Sequence, residues 1–463
     1  MASWIGGIGE KEQAMRSTLT HFLVISILTA LFSPATAVLA QSVAVKSAKS
    51  DAALGTPDAQ RLTGTDVEKL SLQGLIKDAL EANPEIKYMA RRFDAARERV
   101  PQEKALPDPT LSYGYAGNIN PIPPFDIQKG DPSSARMLNF TQEVPFPGKR
   151  SLKGKMATMA AESERWAYEQ ARLDLVAQVK DSYFDYYYFT KAVDVITKNK
   201  ELVEKFEKIA EAQYAVGKGI QQDVLKAQVE VSKLIDQLTT LEQRKETAKA
   251  RLNSLLYRDP DSPLREPEDI KPTDFPYTLG DLKEMALANY PTIKMERRKI
   301  DGAQYGVQLA QKEFYPDFSV AFTYFNRPGL PDMYGVNVGV KIPLYFWQKQ
   351  RPALAEAVTN QEAEQRRLES ITTLLFFTIK DKYLSETTAE RLVKLYGTTI
   401  VPQSSLSLES AIAGYEVGKV DFLTLLDSLV TLRGYELSYY EQLSNAEKAV
   451  SALEALVGRT LRP

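Results

Sequence analysis

The groups that most often do chemistry in proteins are almost missing from this chain. Its 463 residues hold no cysteine and one histidine, His21. A nucleophilic thiol, a histidine general base and a thiolate or imidazole site for a soft metal are therefore not to be expected. What remains is 60 Asp and Glu residues scattered among 58 Lys and Arg. Carboxylates alone can hydrolyse glycosides, but they need two acids facing each other across a compact cleft. The long helical layout described below offers no such cleft, so we expect no enzyme, no cofactor and no metal site. A formal charge of −2 gives no bulk attraction to polyanions, and nucleic acid is not an expected partner.

Near the start, Arg16 precedes an apolar run over 22–32, which is followed by Ser33, Pro34 and small residues ending in Val38-Leu39-Ala40. A positive start, a short apolar core and a small-residue end make up a secretory signal peptide. Residues 1–40 are expected to be a leader cut after Ala40, with Ala37 as the second choice, and 41–66 a flexible N-terminal segment. Met15 is an alternative start, and His21 leaves with the leader. A buried helix or short anchor is the other reading of this run, which falls short of the ~20 residues a spanning helix needs. No other stretch comes closer, so entry into a membrane must use strands.

The elements that position the remaining polar groups occur in two copies. Residues 72–115 align without a gap on 279–322, placing Leu75 on Leu282, Ala79 on Ala286, Pro84 on Pro291, Ile86 on Ile293 and Pro109 on Pro316. Further on, Val144-Pro145 matches Ile342-Pro343, Tyr214-Ala-Val-Gly-Lys218 matches Tyr415-Glu-Val-Gly-Lys419, and Leu252 and Leu255 match Leu453 and Leu456. The expected domains are a first repeat over 67–257, a linker over 258–277 and a second repeat over 278–463. The linker is rich in proline and acid and cannot be helical.

Each copy reads as a helix, two short alternating strands, a very long helix, a glycine turn and a return helix. The first return helix carries Val224, Ala227, Val231, Leu234, Leu238, Leu241, Lys245, Ala248, Leu252 and Leu255 at spacings alternating between 3 and 4. The outward helix repeats the pattern at Leu175, Val179, Ser182, Tyr186, Phe189, Val193 and Ile196. Both are coiled-coil seams. An outward helix over 151–213 is about 95 Å long and the return helix over 220–256 only about 55 Å. The next helix, 279–314, has the length to stack end to end on the return helix, which makes an extended antiparallel bundle.

Four strands complete the layout. Leu111, Tyr113 and Tyr115 alternate with Thr110, Ser112 and Gly114, and Leu138 and Phe140 with Asn139 and Thr141. In the second copy Phe318, Val320, Phe322 and Tyr324 alternate with Asp317, Ser319, Ala321 and Thr323, and Val336, Val338, Val340 and Ile342 with Gly335, Asn337, Gly339 and Lys341. Such alternation suits a tilted strand with lipid on one side and water on the other, or a soluble sheet with one buried face. Aromatics near the strand ends, Phe325, Tyr334, Tyr345, Phe346 and Trp347, suit an interfacial girdle. In hydrocarbon, four strands leave open edges that cost several kcal/mol per unpaired backbone group. Two copies would close a small, side-chain-filled barrel of eight strands, whereas three copies, with twelve, leave a water-filled lumen. A cyclic homotrimer is expected. The hairpin loops, 118–135 and 326–332, are expected to face outside.

Several ordered features carry a family resemblance: Ala79-Leu80 with Asn83-Pro84, Leu106-Pro-Asp-Pro109, Gln142-Glu-Val-Pro-Phe-Pro-Gly-Lys149 and the two Tyr-x-x-Gly turns. Together they span about 70–461 and resemble the TolC-like outer-membrane efflux proteins, or outer membrane factors. The stretches Pro-Phe-Pro-Gly-Lys and Tyr-Glu-Val-Gly-Lys-Val-Asp-Phe-Leu are more similar to the heavy-metal branch of that family than to its multidrug branch. The resemblance implies a mostly α protein with a small transmembrane β part, in which four strands per protomer contribute to a trimeric twelve-stranded barrel continued by a long α-helical barrel in the periplasm. It implies a passive export duct from periplasm to exterior within a tripartite efflux system. The implied partners are a periplasmic adaptor (membrane fusion) protein, an inner-membrane pump of RND type and outer-membrane lipid.

The resemblance also assigns residues. Gly217, Lys218, Gly418 and Lys419 would form adaptor-docking tips, and acids after the two turns would form rings that constrict the lumen. Asp223 and Asp427 are read as the matching acids, with Tyr415 and Thr424 as further gate candidates. Thr424 stands where some members carry another Asp and Val420 where some carry Arg, so the closed network would be thinner or differently built here. Three-fold symmetry turns one carboxylate into a ring of three that draws cations; first-turn acids also simply suit a helix N-terminus. The alternative to a channel is a soluble periplasmic coiled-coil scaffold or adaptor.

Overall fold

The computed structural model describes residues 70–117 and 131–461. The expected leader 1–40, the segment 41–66 and most of the first hairpin loop, 118–130, lie outside the described residues. The first half runs α1 (Leu72–Ala82), α2 (Pro84–Lys104), β1 (Thr110–Ala116), β2 (Ala135–Val144), α3 (Lys149–Ala215) and α4 (Gln221–Leu255). The second half repeats the order: α5 (Leu279–Asn289), α6 (Pro291–Lys312), β3 (Asp317–Asn326), β4 (Met333–Lys341), α7 (Gln350–Leu395), a π turn (Tyr396–Ile400), α8 (Val401–Glu416) and α9 (Phe422–Val457).

Where a single helix is expected at the start of each copy, the structure has two. Proline disfavours helical geometry in the residue before it, and the breaks fall at Asn83-Pro84 and Tyr290-Pro291, each proline opening the next helix. Asn83 makes its break a joint: its Oδ1 accepts from the Glu85 N–H at 2.9 Å and its Nδ2 donates to the Leu255 carbonyl at 3.1 Å. The expected helix 279–314 is therefore α5 and α6 in series.

Helix α3, at 67 residues, is about 100 Å long. It contains no proline and one glycine, Gly154. A Cβ there would lie 2.4 Å from Lys104 Cγ, so glycine is what lets the end of α2 pass this close. The second long helix is interrupted because Pro402 lacks the N–H that would bond four residues back and its ring crowds that carbonyl. The chain responds with the π turn just ahead of it.

Partners line up along α3 as the lengths require. Its N-terminal third lies against α6, where Met156 and Met159 approach Gly306 and Gly302 and Gln170 accepts from Thr292. The rest is covered by α4, with Ala227 and Leu234 in one core with Ile196, Val203 and Phe206. Thus α4 and α6 follow one another along the same helix, as the length argument expects.

Two further cores make the duplication visible. One joins Leu75, Ala79 and Ile86 to Leu175, Val179 and Leu252; the other joins the aligned Leu282, Ala286 and Ile293 to Leu375, Ile379 and Leu453. Ion pairs Lys180 with Glu454 and Lys448 with Asp185 tie α3 to α9. The linker has no helix; Ile270 packs in the cores, and Glu268 donates its N–H to the Tyr183 hydroxyl at 3.1 Å.

Candidate functional site

All four strands pair antiparallel in the order β1-β2-β3-β4. The register puts Tyr113 opposite Leu138, Leu138 opposite Tyr324, Phe140 opposite Phe322 and Val320 opposite Val338. Apolar residues therefore predominate on one face, broken by Arg136 and Gln142, and small or polar residues on the other, broken by Met137, Phe325 and Met333. On the polar face Thr323 is buried; its hydroxyl donates to Asn139 Oδ1 at 3.0 Å, and Asn139 Nδ2 donates to Thr141 at 3.1 Å.

The apolar face is the bare one. Tyr113 and Val338 are each 70% exposed, and Leu111, Val336 and Ile342 are similarly open. A soluble sheet buries its apolar face, so the arrangement is the reverse of that alternative, and in water it would be a large exposed patch. No helix among the described residues is long and apolar enough to cross a membrane. Among the described residues the two outer strands, β1 and β4, each pair on one side.

The sheet is locked to the helices at the start of α3. Lys149 is buried, and its Nζ meets Asp317 Oδ1 at 2.8 Å, Glu313 Oε2 at 3.1 Å and the Tyr315 carbonyl at 3.2 Å. Phe146 stacks on Tyr315 with centroids 4.6 Å apart, and its N–H donates to Asp317 Oδ1 at 2.8 Å. These contacts explain the Pro-Phe-Pro-Gly-Lys stretch: it swings the chain from β2 into α3 and delivers Lys149 to two acids of the other half.

At the far end the two helical turns have the same form. Gly217 and Gly418 both have φ +72, a left-handed geometry that glycine adopts without strain. The N–H of Lys218 bonds the Gln213 carbonyl and that of Lys419 the Gly414 carbonyl, closing each helix end. Lys218 and Lys419 are exposed. So are two matched valines that the sequence reading missed, Val216 (69%) and Val417 (67%); their signal was the shared Val-Gly-Lys.

Just behind the turns lies a cluster of polar groups from both halves. Asp223, in the first turn of α4, has its pKa raised by burial and by the negative charge of Asp421, with Lys226 opposing. The Tyr415 hydroxyl is buried beside it and is likewise raised, by burial and by Asp223. Asp421 caps α9, accepting the Thr424 N–H at 2.7 Å, which holds its own pKa down. Tyr415 packs edge-on against Phe422 at 5.7 Å.

The expected pairing of Asp223 with Asp427 needs correction. Caps at Ile220 and Asp421 open α4 and α9, so the equivalent of Asp223 is Thr424, and Asp427 corresponds to Lys226. Asp427 is exposed one turn further along α9, and the acid whose charge reaches Asp223 is Asp421. Asp421 lies in the Val-Asp-Phe-Leu run, but nothing in its spacing along the chain shows that it faces the other half.

With an outward apolar sheet above and a paired turn below, the match to known proteins is informative. The model of the family described as "Outer membrane efflux protein" matches residues 75–256 and 282–459. This chain belongs to that family. The outer membrane efflux protein described here is 23% identical over 398 residues to the cobalt-zinc-cadmium resistance protein CzcC of Cupriavidus metallidurans, covering 84% of this chain and 90% of that one. Its fold is that of the outer membrane protein VceC of Vibrio cholerae, with TM-score 0.72, 18% identity and coverage of 84% of this chain and 97% of that one. CusC gives TM-score 0.72, 16% identity and coverage of 85% and 93%. As a member of that family this is an outer-membrane efflux protein rather than a soluble scaffold.

Proposed function

We propose that three copies of this chain close one duct, in which twelve strands form the membrane barrel and the long helices form the periplasmic tube. The observation that carries this reading is the bare apolar face with unpaired backbone on both outer strands. Lipid covers the face, and only neighbouring copies can satisfy the edges. Within the duct, residues 67–257 and 278–463 act as two equivalent repeats joined by the linker 258–277.

At the periplasmic end, the cluster of Asp223, Tyr415, Asp421 and Thr424 constricts the lumen, three-fold symmetry multiplying each carboxylate into a ring that retains cations. Asp427 lies one turn deeper as a second ring. The tips at Gly217, Lys218, Gly418 and Lys419, with Val216 and Val417, dock the adaptor through apolar contact flanked by positive charge. The pump behind that adaptor is of RND type, and the likeness to a cobalt-zinc-cadmium resistance protein supports a divalent metal as cargo. Cargo selection then belongs to the pump, because the mature chain offers no thiolate or imidazole.

Purified protein reconstituted in planar bilayers should give discrete conductances that divalent cations block from the side of the helical tips. Asp223→Ala with Asp421→Ala should relieve the block. A protein that stays monomeric and soluble without detergent, or that never conducts, overturns the reading.

A further inference from the structure

Between the first turns of α3 and the last turns of α6 lies a cavity of about 490 Å³. Its wall includes Ser151, Lys155, Gln308, Gln311, Lys312 and Tyr315, and no Asp or Glu lines it. Two acids of this junction, Glu313 and Asp317, are engaged by Lys149 at 3.1 and 2.8 Å. Lys155 Nζ lies 5.3 Å from the Tyr305 ring centroid, and Lys312 Nζ lies 5.2 Å from that of Tyr315 and 5.5 Å from that of Phe146. Neither lysine forms an ion pair among the described residues.

Two ammonium groups held by aromatic faces, a hydroxyl and two carboxamides thus surround a space without a compensating carboxylate. Ammonium groups bind phosphate oxygens strongly, and the amides and hydroxyl can donate to the oxygens that remain. The location narrows the source. Val144 and Phe318, paired with each other, are the apolar residues of β2 and β3 nearest the helices. The cavity begins within a few residues of them, where hydrocarbon gives way to headgroups. Long lysines at this level reach for phosphate while their stems lie along apolar surface.

We propose that this cavity binds a phosphate group, carried by a membrane phospholipid or present as free phosphate. The lipid source rests on the bilayer placement of the strands; the binding of phosphate itself does not.

Native mass spectrometry of the full chain in detergent with phosphatidylglycerol, and ³¹P line broadening with inorganic phosphate, test the two sources. In Lys155→Gln/Lys312→Gln, retention or broadening should fall about tenfold, the scale of two solvent-accessible ion pairs. Gln311→Glu, at an exposed position, should do the same by repulsion, and it serves if the double variant does not fold. Loss of lipid adducts alone assigns the site to the headgroup; loss of phosphate broadening alone assigns it to the free ion. Equal lipid retention and equal broadening in wild type and variants overturn the proposal.

Discussion

Arg433 donates a hydrogen bond to Glu230 at 2.8 Å inside the helical bundle, joining α9 of the second half to α4 of the first. Both are buried, Glu230 at 5% and Arg433 at 8% exposure. Apart from Arg433, the charge nearest Glu230 is Lys233, at 3.5 Å. Removing Arg433 leaves a carboxylate buried with a poor partner, and we expect Arg433→Met to cost about 3–5 kcal/mol. Glu230→Met/Arg433→Leu should recover most of that loss, because apolar replacement of a whole buried pair is often close to neutral. Chemical unfolding in detergent decides it: additive losses in the double variant would mean that the two residues are not coupled.

The tip cluster should respond to pH in two opposed ways. Asp223 holds its proton more readily in the folded protein, above its ordinary value of 3.8. Its contribution therefore favours the packed tips more as pH falls through that raised pKa. Asp421, held below 3.8 by Thr424, stabilises the tips above the ordinary Asp range and loses this as pH falls toward its depressed pKa. A spin label on Val417→Cys, in a chain without native cysteine, should become less mobile on mild acidification and more mobile on further acidification. Asp223→Asn should abolish the first change, and Asp421→Asn the second. An unchanged profile in Asp223→Asn would remove the assignment.

The two faces of β4 should tolerate charge very differently. Val338 points outward and Asn337 belongs to the polar face. Val338→Lys should cost about 2–4 kcal/mol near the bilayer middle, and outer-membrane assembly should drop accordingly. Asn337→Lys should assemble nearly as wild type. Equal assembly of the two variants would contradict the outward assignment of the apolar face.

Glycines with the same φ should differ in what a methyl group costs. At Gly217 a Cβ meets nothing within 4 Å, so Gly217→Ala carries only the left-handed backbone penalty, about 1–2 kcal/mol. At Gly458, φ +71, a Cβ would lie 2.9 Å from the Asn289 carbonyl oxygen. Gly458→Ala adds that clash and should lower the melting temperature clearly further than Gly217→Ala does.

Much of this architecture is periodic, and periodicity is local information. The alternation of Phe318, Val320 and Phe322, the seam from Val224 to Leu255 and the offset that lays Leu75 on Leu282 each depend on residues near one another or on two copies compared. They determined the strands, the coiled coils, the duplication and the long-helix boundaries to within a few residues. The breaks at Pro84 and Pro291 and the π turn before Pro402 were also written in local chemistry, through the restriction proline puts on the residue before it and, at Pro402, its missing N–H, although the helical pattern on both sides masked them.

Three matters needed the tertiary structure. A two-residue period separates two faces but does not say which one looks outward; the exposure of Tyr113 and Val338 decided that. The neighbour of Asp223 is Asp421, an acid from the opposite half, because the two turns are brought side by side by helices about 50 Å long or more. Lys149 reads as one more basic residue after a proline turn, yet it ends buried between Glu313 and Asp317. Spacing along the chain cannot express such meetings, since they follow from how rigid helices and a paired sheet carry distant residues to one place.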